Sequence, residues 1–220
     1  VTAHARQPGG HHVPEAFDHL VYATSDLRAS LDELAGWLGV RPGAGGQHVG
    51  FGTRNALLAL GPDAYLEVIA PDPDQPHPSS PRVFGLDERR EPGIVAWARR
   101  DDDLRGRRAR AEAHDVDLGM IFPMSRHLPD GRLLRWHLLF PALPLAGGLV
   151  PFFIDWGSNE NPARTAAPGC RLLELRGEAR APHEARALLE AVGVDLEVVG
   201  GDRDGLVATI ETPRGEVVLR

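Results

Sequence analysis

The order of hydrophobic periods along this chain repeats three times, and that repetition narrows the available folds more than any single motif does. FDHLVYAT alternates with β-branched and aromatic residues and predicts a strand. LRASLDELAGWLG follows with Leu27, Leu31, Leu34 and Leu38 on one helical stripe, Ser25-Asp26 as a cap ahead of it and Gly39 as a stop behind it. QHVGFGT, NALLALG and AYLEVIAP then predict three short strands. The first two are expected to turn near Arg54-Asn55, and the next pair at Gly61-Pro62-Asp63.

After the proline-rich connector PDPDQPHPSSP, the same order returns. GIVAWARR predicts a strand, DLRGRRARAEAHDV a helix, and DLGMIFPMSR, RLLRWHLLFP and LVPFFIDWG three strands, with a turn at Pro129-Asp130-Gly131. A second connector, residues 157–169, leads to a third round: CRLLELRGEA, APHEARALLEAVG, DLEVVGG, GLVATIET and GEVVLR. The expected organisation is α+β: an arm over residues 1–15, then βαβββ modules over 16–72, 92–157 and 169–220. The arm is polar and expected to be disordered, with His11 and His12 solvated. A sheet with one apolar face needs a partner, so the first two modules are expected to pair. The third has to pair elsewhere, within the monomer or across a homodimer.

The 220 residues suffice for a substantial core, and 42% hydrophobic with 25% charged residues is ordinary for a soluble globular protein. A formal charge of −7 gives no footprint for nucleic acid or an anionic membrane, and no apolar run is long enough to span a bilayer. No signal-peptide core opens the sequence, and Cys170 is the single cysteine, so a reducing cytoplasm is expected. All 24 basic residues are arginine. With the abundant Ala, Gly and Pro this points to a GC-rich, bacterial coding sequence. It also excludes a Schiff-base lysine and a Walker-type phosphate loop. No G-x-S-x-G elbow supports serine hydrolysis.

The repeated order, with FDHLVYATSDL and YLEVIAPD, resembles the vicinal oxygen chelate superfamily of glyoxalases, extradiol dioxygenases and fosfomycin-resistance proteins. More narrowly, GGQHVGFGTRNALLALG followed by YLEVIA, and later LPDGRLLRW and PFFIDWG, is similar to the glyoxalase-like domain. The resemblance implies curled mixed sheets forming a cup around a small-molecule substrate or ligand. It also implies a divalent metal (Zn, Fe, Mn, Ni or Co) held from the first and fourth strands of each module. Carried onto this sequence, His19 and Glu67 match the ligand places of the first module. Strand alternation agrees, since His19 shares a face with Val21 and Ala23, and Glu67 shares one with Tyr65 and Ile69. A carboxylate in an apolar strand needs a cation or hydrogen-bond donors, and a metal or an arginine would serve.

The second module departs from that pattern. Its first strand has Ala96 and Trp97 where a ligand belongs, and Asp155 takes the carboxylate place only if the register shifts by one. Arg135 and His137 share a face of RLLRWHLLFP and are expected to look into the cup, to clamp a carboxylate or polarise a carbonyl. The alternative is that they pair with Glu67 or Asp155 in a structural network. His48, with Gly50 and Gly52 two and four residues on, is expected as a wall residue with room beside it, against the alternative of a plain hairpin histidine. Arg126 and Asp130, beside the turn, are expected at the surface. The run ARRDDDLRGRRARAEAHD is expected as a solvated helix face, and Cys170 as buried and inert.

The predicted site is therefore His19, Glu67 and Asp155 as metal ligands, with Glu67, His48, His137 and Arg135 as catalytic groups. Two functions remain open at this stage. One is an enzyme of the lyase, isomerase or dioxygenase type, with the metal as Lewis acid or the carboxylate as general base. The other is a metal-free protein that binds a small aromatic or anionic compound.

Overall fold

Period-two alternation in the first two modules leaves each sheet with an apolar inner face, and closing the two sheets edge to edge buries both. In the computed structural model, which describes residues 11–128 and 131–220, that is the architecture. The first unit runs β1 (Phe17–Ala23), α1 (Leu27–Leu38), β2 (Gly43–His48), β3 (Thr53–Ala59) and β4 (Tyr65–Pro71). The second runs β5 (Gly93–Arg100), α2 (Leu104–Glu112), β6 (Met120–His127), β7 (Leu133–Phe140) and β8 (Phe152–Asp155). Their strands form one closed barrel in the order β1-β4-β3-β2-β6-β7-β8-β5. The two seams differ in length. β1 and β5 pair along their lengths, whereas among the described residues β2 meets β6 at Gln47 and His127.

α1 forms where its leucine stripe lies. The Asp26 side chain accepts from the Ala29 amide, and Gly39 ends the helix at φ 71°, a left-handed conformation that costs glycine little. Leu34 and Leu38 pack with Leu20, Tyr22 and Leu66 on the outer side of the barrel. Val21, Ala23, Leu57 and Ile69 pack on the inner side. The fold is therefore α+β, with a curled sheet forming a cup.

The third unit is β9 (Arg171–Ala179), α3 (Pro182–Ala191), β10 (Glu197–Gly200), β11 (Gly205–Thr212) and β12 (Gly215–Leu219). It keeps the βαβββ order along the chain but pairs its strands differently, as β10-β9-β11-β12. In the first unit the opening strand pairs in parallel with the fourth; here it pairs in parallel with the second. Leu172, Leu175, Leu206 and Ile210 of this sheet join the core outside the barrel, so its apolar face is covered within the same chain.

Of the arm expected over residues 1–15, the first ten lie outside the described residues. The following residues run along the third unit. The Leu175 amide donates to the His12 carbonyl at 2.9 Å, and Asp195 accepts from the Glu15 amide at 3.1 Å. The turn expected at Pro129-Asp130-Gly131 falls partly outside the described residues, Asp130 with it. The hairpin before β3 differs from expectation. Arg54 and Asn55 lie inside β3, and the chain turns at residues 49–52, where Gly50 and Gly52 adopt φ of 82° and 62°.

Candidate functional site

The cavity of the barrel has a polar half and an aromatic half. The first unit contributes His19, His48, Thr53, Asn55, Tyr65 and Glu67, and the second contributes Phe122, Met124, Trp136, Phe140, Phe152 and Trp156. The one charged side chain that the second unit brings, among the described residues, is Arg126. About 630 Å³ of space lies among these atoms, open solvent at the mouth included. Val83 and Phe84, just past the proline-rich connector, fold back over the cavity. Phe84 sits at φ 60° with its ring 5.5 Å from Phe140 and 6.0 Å from Phe152.

His19 is held from behind. β1 carries a bulge against β5, so that Phe17 faces Arg99 and His19 faces Ala98, with Asp18 the extra residue between them. A bulge re-aims a side chain, and here it turns Asp18 toward its own neighbour. Asp18 Oδ1 accepts from His19 Nδ1 at 2.6 Å, and its Oδ2 accepts from Trp156 Nε1 at 3.0 Å and Asn161 Nδ2 at 2.8 Å. Arg100 adds a cation at 3.6 Å. The fully buried carboxylate is thereby satisfied, and the proton on Nδ1 leaves His19 Nε2 facing the cavity. The ring stacks on Tyr65 at 4.6 Å. Burial holds the Tyr65 phenol well above its usual pKa, so it stays neutral.

Glu67 lies between two imidazoles. Its Oε2 is 3.7 Å from His19 Nε2, and its Oε1 is 3.8 Å from His48 Nε2. Oε1 also accepts from Asn55 Nδ2 at 2.5 Å. The same amide nitrogen lies 3.5 Å from His48 Nε2, which must accept, so His48 Nδ1 donates to Thr53 Oγ1 at 3.0 Å. Burial pushes the His48 pKa down to about 4 against the opposing pull of Glu67, with Arg126 and His19 lowering it further. His48 is therefore a neutral imidazole at neutral pH.

Arg126 is 4% exposed, and its Nη1 donates to Asn55 Oδ1 at 3.2 Å. Its seat is made by glycine. A Cβ at Gly46 would lie 2.8 Å from Arg126 Cγ, and one at Gly45 would lie 3.1 Å from Arg126 Nη1 and 2.1 Å from Asn55 Oδ1. The bare strand at the short seam is what admits this side chain.

The sequence-predicted residues divide accordingly. His19, Glu67 and His48 meet in the cavity. Arg135 and His137 do not. Trp136 and Leu138 face inward on β7, and the two polar residues are exposed outside. A cup lined by aromatics sends the polar face of its strand to water, the reverse of the expected orientation. Asp155 is likewise on the outer face. It stands opposite His137 and accepts from the Gly157 amide at 2.7 Å, while Phe152, Ile154 and Trp156 point inward. Gly50 and Gly52 lie in the turn rather than beside His48 in the cup. Arg126, expected at the surface, is buried.

Asp18, Asn55 and Arg126 are the site residues that sequence reasoning missed. The Gly45-Gly46 pair was the one available signal for the last two, since bare glycines on a strand mark a close approach.

The metal implied by the resemblance finds an incomplete donor set. β5 presents Ala96 and Ala98 to the interior, β8 presents Phe152 and Ile154, and Asp155 is outside. Among the described residues no group of three or more His, Cys, Asp or Glu is arranged to hold a metal ion. One oxygen of Glu67 is already taken by the Asn55 amide, and a guanidinium lies beyond that amide. The residues present do not fit a metal centre of the implied kind.

A sequence model described as a glyoxalase-like domain matches residues 17–193. No curated protein matches the chain at a significant level. Among solved structures, a hypothetical protein from Staphylococcus aureus is similar in fold, with 14% identity and a TM-score of 0.61, covering 86% of this chain and 87% of that one. Methylmalonyl-CoA epimerase from Mycobacterium tuberculosis matches at 23% identity and TM-score 0.39 over 64% of this chain and 86% of its own. A mutant of 4-hydroxymandelate synthase from Streptomyces coelicolor matches at 15% identity and TM-score 0.48 over 94% and 63%. With the family match spanning most of the chain, the chain belongs to the glyoxalase-like domain family.

Proposed function

We propose that this chain is an enzyme that moves a proton next to a carbonyl of a small, largely apolar substrate, with Glu67 and His19 as the proton-transferring pair. The observation that carries this reading is the Asp18–His19–Glu67 series, with His19 and Glu67 lining the cavity and Asp18 buried behind them. Glu67 Oε2 takes the proton as the C–H bond breaks, and the electron pair moves onto the carbonyl oxygen. His19, its Nδ1–H held by Asp18, keeps Nε2 facing the reacting group and exchanges the proton there. Return of the proton to the same or a neighbouring carbon completes an isomerisation. His48, neutral and fixed between Thr53 and Asn55, holds its Nε2 side toward Glu67 without adding charge. The aromatic walls exclude water and keep the low dielectric in which these groups act strongly.

Deuterium incorporation into phenylacetone and acetoacetate in heavy water, followed by NMR, tests this. Exchange above background that drops at least tenfold in Glu67→Gln and in His19→Ala is expected. Equal rates for the unaltered protein and Glu67→Gln would sink the proposal. Metal content of protein prepared without a histidine tag, after metal-supplemented growth, tests the donor set. Less than about a tenth of an equivalent is expected, and a stoichiometric metal lost in His19→Ala and Glu67→Ala would restore the Lewis-acid reading.

A second reading, a metal-free binding protein, is favoured by one observation. Among the described residues, the second unit gives the cavity aromatic walls and one charged group. Ligand binding with no exchange in any variant would select it.

A further inference from the structure

Arg126 presents an unusual arrangement for a buried cation. It is 4% exposed, inside an aromatic cavity, and among the described residues its hydrogen-bond partner is the neutral Asn55 amide. Its buried Nε has no acceptor among the described residues. Among the described residues no carboxylate lies within ion-pairing distance of it. Asp18 is occupied by His19, Trp156 and Asn161, and Glu67 by Asn55. A guanidinium carries five donors, and leaving a buried one unmet in a low-dielectric site is costly. The chain nevertheless builds this position, stripping two consecutive residues of β2 to glycine so that the side chain can lie there.

We propose that Arg126 is the anchor for a carboxylate on the ligand, and that the ligand class is an arylalkyl or aryl monocarboxylic acid. The inference rests on the same cavity being the substrate site and names what enters it. A monocarboxylate matches the guanidinium fork in shape and cancels its single charge. A phosphate dianion would leave excess negative charge beside Glu67. Phe122 and Met124 precede Arg126 on the inward face of β6, two residues apart each time, so an apolar body bound along that strand ends at the guanidinium. Phe140, Phe152 and the Trp136–Trp156 pair, with ring centroids 5.2 Å apart, supply flat surfaces for an aromatic ring. Bound this way, the acid fills the unmet donors of Arg126. Asn55 keeps its carboxylate apart from that of Glu67.

Tryptophan fluorescence titrations of the untagged protein with phenylacetate and benzoate, against the neutral isosteres phenylacetamide and benzamide, test the assignment. The acids are expected to bind about tenfold or more tightly than their amides, the scale of a charge-assisted hydrogen bond. The preference should vanish in Arg126→Gln and return in part in Arg126→Lys. Glu67→Gln should keep it, because that variant removes proton transfer and not the anchor. Equal affinity for acid and amide, no binding of either acid, or a preference that survives in folded Arg126→Gln overturns the proposal. If Arg126→Gln does not fold, the acid–amide comparison in the unaltered protein decides alone. An acid preference without proton exchange refutes the proposed reaction and leaves the anchor standing, and exchange without the preference does the opposite.

Discussion

Glu67 and Arg126, opposite in charge and buried in one cavity, are joined through Asn55, whose amide donates to Glu67 Oε1 at 2.5 Å and accepts from Arg126 Nη1 at 3.2 Å. The amide bridges the two charges while keeping them from collapsing into a closed ion pair. Each retains capacity for a ligand: Oε2 on one side, the remaining guanidinium donors on the other.

Asn55→Ala removes both hydrogen bonds and leaves two buried charged groups short of a partner. A loss of roughly 2–4 kcal/mol of stability is expected, measured by urea denaturation. A loss below half a kcal/mol would mean that the two charges find other partners.

Asp18→Asn retains the shape of the side chain but offers an amide where His19 Nδ1 needs an acceptor. The ring can then take the other tautomer, which puts a proton on Nε2 where the cavity needs a lone pair. Proton exchange on the substrates above is expected to fall by about 10²-fold or more, with the far-ultraviolet circular dichroism unchanged.

His48 makes stability depend on pH. Its folded pKa, about 4, is below the ordinary 6.5, so between these values the unfolded chain binds a proton that the folded one does not. Stability therefore falls as pH drops through that window, by up to about 3 kcal/mol, and this group adds no slope above pH 6.5 or below pH 4. Denaturation of the unaltered protein and of His48→Gln at a series of pH values checks this. The variant should lose about one proton's worth of slope.

Gly46→Ala places a methyl group 2.2 Å from the His127 carbonyl oxygen and 2.8 Å from Arg126 Cγ. Either the seam between β2 and β6 opens or the arginine moves. A destabilisation of about 1–3 kcal/mol is expected, together with loss of phenylacetate binding in titration.

Arg135→Ala and His137→Ala serve as the contrast. Both side chains are exposed on the outer face of β7, so each should leave the urea midpoint within about 0.5 kcal/mol and exchange unchanged. A tenfold drop in either would contradict the observed register.

Much of this molecule was legible before folding. The leucine stripe of α1 and the order of all twelve strands follow from local periodicity, which backbone geometry enforces, while the family resemblance is what placed His19 and Glu67 at the cup. Strand faces were harder where both sides carry large residues. On β7, alternation separates Arg135 and His137 from Trp136 and Leu138 but does not say which set meets water. Only closing the barrel does, because the second unit lines its interior with aromatics. Asp18 was hidden by a bulge, which breaks the alternation at the residue that orients His19.

The glycines of GAGGQHVGFG divide in the same manner. Gly50 and Gly52 serve a local turn that sequence chemistry accounts for, although its position was shifted. Gly45 and Gly46 serve a side chain 80 residues farther along, counting from Gly46 to Arg126. By itself, then, the sequence determined the elements and the family, and it named His19, His48 and Glu67 of the first unit but not Asp18 or Asn55. The tertiary structure alone decided that Arg126 enters the cavity and that Asp155, Arg135 and His137 stay out. Those placements depend on which strands meet at the two seams, a non-local pairing set by the burial of both inner faces at once.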